Sequence, residues 1–227
     1  MKIKIADIVE TISGEIGLFP QGAWCTIIRF GGCNLRCPYC DTKGTWTDEN
    51  TIEMTPEEIV KKVHTKNILI TGGEPFVQSE GLEELVHLLV AEGLNIQIET
   101  NGSLAVSPRL AWWLKKQKVM LVVDYKGPSS KQNIDFDSFV NRFSNYCNWG
   151  SAIIKMVVAS TLDLKTIPQF RKLFDEAPNA WVAFSPVDAK GYWAQYIFKV
   201  CEEEFAYELA NGQIILSVQI HKNIMMP

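Results

Sequence analysis

The chain has 227 residues, enough for one sizeable hydrophobic core, and its 47% hydrophobic and 21% charged residues describe an ordinary globular protein. A net charge of −4 gives no electrostatic case for a nucleic-acid or anionic-membrane partner, and no run approaches the ~18 apolar residues of a membrane span. Six cysteines, three of them clustered, point to metal or catalysis in a reducing compartment rather than to a disulfide framework.

The opening "MKIKIADIVE" alternates as a strand does and lacks the apolar core of a secretion signal, so a cytoplasmic location is expected. A strand over "AWCTIIRF" runs into the cysteine loop "GGCNLRCPYCDT". Thr55 as N-cap, Pro56 at the first helical position and Glu58 closing a capping box start a helix. The apolar run "NILIT" follows at 67–71, then a helix near 81–92, the strand "LNIQIET" and a helix opened by Ser107 and Pro108. "KVMLVVDYK" is the next strand, followed by a helix over about 135–146, the strand "AIIKMVVAS" and a helix near 163–174. "AWVAFSP", a helix near 191–210 and the strand "QIILSV" complete the series. No repeat or linker interrupts it, so a single domain over 1–227 is expected.

Strands alternating with helices imply parallel βα units, whose ligands sit beyond the C-terminal ends of the strands. The loops "TGGEP", "ETNG", "DYKGPSS" and "SPVD" fall there, as does the cysteine loop. With six strands before the last, the expected α/β fold is a partial, open (βα) barrel.

Cys33, Cys37 and Cys40 are spaced C-x3-C-x2-C with no fourth cysteine nearby, whereas Cys25, Cys147 and Cys201 are scattered and are expected in the core. A structural zinc site needs four protein ligands, and His64, His87 and His221 all lie far from the cluster in sequence. His64 and His87 are expected on helices, at the surface. A [4Fe–4S] cluster held by three thiolates would instead leave one iron open to a small molecule bearing an amine and a carboxylate.

"CNLRCPYC", with Tyr39 before its last cysteine, resembles the motif of the radical S-adenosylmethionine (SAM) superfamily, and "TGGEP" resembles the loop with which that family receives the methionyl amino group. More narrowly, "ETISGE", "CDTKGTW", "TGGEP", "IETNG", "DYKGPSS" and "VQIHKNIMMP", in this order over almost the whole chain, resemble the 7-carboxy-7-deazaguanine synthases. That resemblance implies the radical SAM type of open barrel, a [4Fe–4S] cluster on Cys33, Cys37 and Cys40, SAM as the source of a 5′-deoxyadenosyl radical, and Mg2+ on Thr42. It implies ring contraction of 6-carboxy-5,6,7,8-tetrahydropterin with loss of ammonia, in the queuosine pathway.

By the same resemblance, Tyr39, Cys40, Asp41, Gly73 and Glu74 would contact SAM, with Glu99, Thr100, Asn101, Lys126, Ser129, Ser130 and Ser185 as further candidates. Ile12, Ser13, Gly14, Glu15, Arg29, Thr71 and the carboxylate of Pro227 would hold the pterin. Arg29 alternates with Ile28 and Phe30 on its strand, so its guanidinium could point inward and grip a carboxylate. The chain departs from the family at Ser13, where glutamine is usual, and at Ile16 and Lys131, where glycine is usual. Family membership implies a homodimer and an electron donor such as flavodoxin. Two other readings compete: an activating enzyme that places a glycyl radical on a partner protein, and a non-catalytic zinc or redox-sensing module.

Overall fold

The computed structural model describes residues 1–187 and 192–218. In chain order, β1 (Ile3–Ile12) and β2 (Trp24–Phe30) form an antiparallel hairpin, and a short β3 (Ile52–Met54) pairs with the outer edge of β1. Then follow α1 (Pro56–Val60), β4 (Asn67–Gly72), α2 (Ser79–Ala91), β5 (Asn95–Thr100), α3 (Pro108–Lys115) and β6 (Val119–Tyr125). The rest comprises α4 (Phe136–Asn148), β7 (Ala152–Val158), α5 (Thr161–Thr166), α6 (Arg171–Glu176), β8 (Trp181–Pro186), α7 (Tyr192–Glu204), α8 (Ala206–Ala210) and β9 (Ile214–Leu216). The sheet runs β3-β1-β2-β4-β5-β6-β7-β8-β9, parallel from β2 onward, and is the open partial barrel that the alternation of elements predicts.

Local chemistry explains most boundaries. Thr55 accepts from the Glu58 amide at 3.3 Å while the Glu58 carboxylate accepts from the Thr55 amide at 2.8 Å, the expected capping box. Ser107 and Asp135 cap α3 and α4 through the amides of Leu110 and Ser138. Three expectations need correction. The helix near 163–174 is divided by a 3-10 turn at Ile167–Phe170, because Pro168 cannot continue the α-helical ladder. The helix near 191–210 breaks at Phe205, whose φ of −137° is not helical. His64 lies in the connection beyond α1 rather than on a helix, because α1 ends at Val60.

The strand period of two decides what lies inside. One face carries Ile68, Ile70, Ile96, Ile98, Leu121, Val123, Ile154, Met156, Val182 and Phe184, all buried against the helices in the main core. Cys147 and Cys201 are buried in that core. The opposite face lines the barrel. Near the N-terminal ends of the strands it is plugged by a small cluster of Phe19, Cys25, Ile27 and Leu69. Toward the C-terminal ends the same face carries Arg29, Thr71, Glu99, Asp124, Lys155 and Ser185.

The barrel's open side is latched by the loop between β1 and β2. The Ile16 amide donates to Ser217 Oγ at 3.5 Å, and Gln21 Nε2 donates to the Val218 carbonyl at 2.7 Å. The loop is anchored from below by the Leu18 amide, which donates to Gln97 Oε1 at 2.7 Å. A Cβ on Gly17 would lie 1.8 Å from that same oxygen, so only glycine passes here without moving Gln97. No helix among the described residues is long and apolar enough to cross a membrane.

Candidate active site

β2 delivers the chain into the cysteine loop, and β4 delivers it into "TGGEP" beside it. The two loops are laced backbone to backbone: Gly73 N–H donates to the Phe30 carbonyl at 2.8 Å and Glu74 N–H to the Gly32 carbonyl at 2.8 Å. Gly72 has a φ of +113°, and a Cβ there would lie 2.5 Å from the backbone of Phe30. A Cβ on Gly73 would lie 2.0 Å from the Gly32 carbonyl oxygen. Two successive glycines are therefore what lets the cysteine loop close onto the end of β4.

Glu74 is fully buried behind this contact. Its Oε1 accepts from the Phe76 amide (3.0 Å) and the Thr100 hydroxyl (2.8 Å), and its Oε2 accepts from the Asn101 amide (2.7 Å). Burial pushes its pKa up, and the same three donors pull it back. The carboxylate thus staples the end of β4 to the end of β5, and it does not line the cavity. From the β5 side, Asn101 Nδ2 reaches Asn34 Oδ1 at 3.0 Å and Cys33 Sγ at 3.8 Å.

The cavity at the rim measures about 240 Å3, near the lower end of small-molecule sites. Cys33, Cys37 and Cys40 stand on one side, with Thr42 Oγ1 3.6 Å from Cys40 Sγ and donating to the Gly72 carbonyl at 3.3 Å. Arg29 Nη1 meets both oxygens of Asp7 at 3.1 Å. Across the floor, Thr71 Oγ1 donates to Glu99 Oε2 at 2.9 Å. Farther along, Asp124 Oδ2 takes Lys126 Nζ at 2.7 Å and lies 3.9 Å from Lys155 Nζ, which also pairs with Glu15. Burial works against the charges of Lys126 and Lys155, but the adjoining carboxylates more than restore them, so both ammoniums hold their protons above the ordinary lysine range. Burial pushes the Glu99 carboxyl up to about 7, with Lys155 opposing and Glu15 reinforcing the shift.

Of the residues singled out from sequence, Ile12, Gly14, Glu15, Arg29, the three cysteines, Tyr39, Asp41, Thr42, Thr71, Gly73, Glu99, Thr100, Asn101, Lys126 and Ser185 share this cavity wall. Ser13, Glu74, Ser129 and Ser130 do not line it. Ser13 is buried in the hairpin loop, its hydroxyl donating to the Glu15 carbonyl at 3.2 Å. Ser130 Oγ accepts from the Gln132 amide, and the Ser129 amide donates to Asp163. Lys131 takes the left-handed conformation (φ 56°) in which glycine is usual, so the loop keeps that shape at a steric cost. Pro227 lies outside the described residues.

Sequence reading passed over Lys155, Asp124, Gln97, Asp7 and Asp163. A signal for Lys155 existed: it is the one charge in the strand "AIIKMVV", and a strand covered on both faces leaves a charge only the barrel interior.

The donor set fits an iron–sulfur cluster and a polar ligand. The three thiols share one cavity wall, and because the thiolates of a cube bind separate irons, three suffice without a fourth protein ligand. Burial pushes the Cys33 and Cys37 thiols up, so they need a cationic partner to stay thiolate. On the ligand side, Tyr39 Oη and Asp124 Oδ1 are buried without a protein partner, although both residues line the cavity.

The family model of the Radical SAM superfamily matches residues 27–160. The chain is 33% identical over 234 residues to the 7-carboxy-7-deazaguanine synthase of Clostridium acetobutylicum, covering 100% of this chain and 98% of that protein. It is 30% identical to the 7-carboxy-7-deazaguanine synthase of Methanospirillum hungatei JF-1, covering 99% of this chain and 86% of the relative. Among solved structures, QueE from Escherichia coli superposes with a TM-score of 0.64 at 20% identity, over 96% of this chain and 94% of that one, a likeness of fold.

Proposed function

This chain belongs to the radical SAM superfamily and, within it, to the 7-carboxy-7-deazaguanine synthases, and from that premise we propose how its own residues serve the reaction. The protein is a carbon–nitrogen lyase of queuosine and 7-deazapurine biosynthesis. It contracts 6-carboxy-5,6,7,8-tetrahydropterin to 7-carboxy-7-deazaguanine and releases ammonia. The observation that carries the reading is full-length similarity to such synthases, together with a three-cysteine loop laced to "TGGEP" over a cavity of mixed charge.

When bound, the [4Fe–4S] cluster and SAM supply hydrogen-atom abstraction from the substrate. Cys33, Cys37 and Cys40 would hold the cluster, with the Leu35 amide and Asn101 Nδ2 donating weakly to Cys33 Sγ. Gly73, in the cavity wall, would present its backbone to SAM, and Tyr39, Asp41, Asn101, Lys126 and Ser185 would surround it. Lys126, desolvated yet charged, suits a ligand carboxylate or hydroxyl. Thr42 would give its hydroxyl to Mg2+ in place of its contact with the Gly72 carbonyl, and one such oxygen suffices for an ion that keeps waters. Arg29 would share its guanidinium between Asp7 and the substrate carboxylate. Backbone at Ile12 and Gly14, with Glu15 and Thr71, would orient the pterin. Leu35, Trp46, Val157 and Val187 in the wall limit water. A cytoplasmic homodimer served by flavodoxin or a similar electron donor completes the proposal.

Anaerobic reconstitution with reductant, Mg2+, the tetrahydropterin and substoichiometric SAM tests the reading. Deazaguanine product in excess of the SAM supplied is expected. Cleavage of SAM without that product would refute the substrate assignment and favour the activating-enzyme reading.

A further inference from the structure

Lys155 is 6% exposed, in the middle of β7, with apolar Ile153 and Val157 on the same face of the strand. Placing an ammonium there costs several kcal/mol of desolvation, and a methionine or leucine would fill the position at no such cost. The fold gains no core packing from the charge, because the helix-facing neighbours Ile154 and Met156 are fully buried without it. Lys155 instead reaches three carboxylates from three different elements. It pairs with Glu15 of the loop between β1 and β2, 140 residues away in sequence, lies 3.9 Å from Asp124 on β6, and interacts electrostatically with Glu99 on β5.

The arrangement is directional. Arg29 stands opposite Thr71 in the register of β2 and β4, and the Thr71 hydroxyl donates a hydrogen bond to Glu99 on the next strand. Strands lie about 4.8 Å apart, so the Glu99 end of the floor is about 10 Å from Arg29 along the sheet. Guanidinium donors, shared with Asp7, thus stand at one end. At the other, the carboxyl oxygens of Glu15, Glu99 and Asp124 gather around Lys155, with Lys126 also on Asp124. A flat bicycle with an anionic carboxylate at one end and an amino and N–H edge at the other matches that polarity.

We propose that Lys155 is a positioning residue for the substrate: by drawing Glu15 down from the hairpin loop onto the wall shared with Glu99 and Asp124, it builds the acidic end that receives the N–H edge of the pterin. This rests on the proposed reaction and names how the same cavity orients its substrate. The loop holding Glu15 is anchored at Gln97 and Ser217, but its acidic side chain is tied to the sheet through Lys155. Removing the ammonium breaks the ion pair by which β7 holds Glu15 against the cavity wall, and the loop then loses that tie to the sheet.

The experiment compares wild type with Lys155→Met, both loaded with the cluster. It measures binding of the redox-stable 6-carboxypterin by its fluorescence, binding of a 2-deamino analogue, and binding of SAM by equilibrium dialysis. Lys155→Met is expected to weaken 6-carboxypterin at least about tenfold, the equivalent of ~1.4 kcal/mol, and to erase the preference for the 2-amino compound while SAM affinity stays the same. An undiminished preference for the 2-amino compound overturns the inference, as does a parallel loss of SAM affinity. Should Lys155→Met fail to fold, Glu15→Gln decides the matter. It removes the carboxylate that Lys155 holds, so an undiminished preference for the 2-amino compound in that variant overturns the inference. Wild type that neither binds 6-carboxypterin nor turns over the tetrahydropterin refutes the reaction itself, and the inference with it. Wild type that does both beside an unaffected Lys155→Met refutes the inference alone.

Discussion

Replacing Glu74 by glutamine separates a staple from a ligand contact. The carboxylate takes the Phe76 amide and Thr100 hydroxyl on Oε1 and the Asn101 amide on Oε2, with no exposure to solvent. Glutamine has one carbonyl oxygen to offer. Set at the Oε1 position, it keeps two donors and points its NH2 at the Asn101 amide, so that a donor faces a donor. The lost charge-assisted bond and the buried unpaired amide together cost about 2–3 kcal/mol. The flipped amide loses two bonds and costs more. Glu74→Ala abandons all three donors, and about 5 kcal/mol is a large share of the ~5–15 kcal/mol that holds a domain together. Anaerobic urea unfolding of the cluster-free protein reads this directly. With m of about 2 kcal/mol/M, Glu74→Gln should lower the midpoint by roughly 1 M at unchanged m. A glutamine variant within about 0.5 kcal/mol of wild type that has nonetheless lost SAM affinity would refute the reasoning, because the carboxylate would then be facing the ligand.

Three further outcomes follow from named positions. Gly73→Ala puts a Cβ 2.0 Å from the Gly32 carbonyl oxygen, so the cysteine loop must move; iron per chain after reconstitution should fall well below wild type, and full iron loading would count against the contact. Lys131→Gly relieves the left-handed backbone at φ 56° and should raise stability by about 0.5–1 kcal/mol in urea, whereas a loss would show that the lysine side chain compensates for the strain. Burial raises Glu99 from 4.5 to about 7, so the native state holds a proton that the unfolded chain has released; stability on its account is complete below pH 4.5 and falls as pH rises through 7. The urea midpoint of wild type should therefore drop across that window relative to Glu99→Gln, and parallel profiles would remove the claim.

The alternation of "NILIT", "LNIQIET", "KVMLVVDYK" and "AIIKMVVAS" with helical stretches is enough to predict a parallel open sheet, because period and element length are local properties of the chain. The C-x3-C-x2-C spacing and the paired glycines of "TGGEP" are likewise local, and ligand chemistry at such loops is carried by residue type and separation along a few residues. Helix ends were less legible where tertiary context intervened, as at Pro168 and Phe205. Only the folded chain decides what each acid and base meets. Glu74, read in sequence as a ligand residue, is enclosed by donors from β5, and Arg29 finds Asp7 across the hairpin. Lys155 gathers Glu15 and Asp124 from elements far apart in sequence. Those partnerships depend on strand register, on the order in which strands lie in the sheet, and on which face is shut off from water. None of these is a property of any short stretch of sequence, and burial is what turns an ordinary lysine or glutamate into a group whose charge must be answered by a particular neighbour.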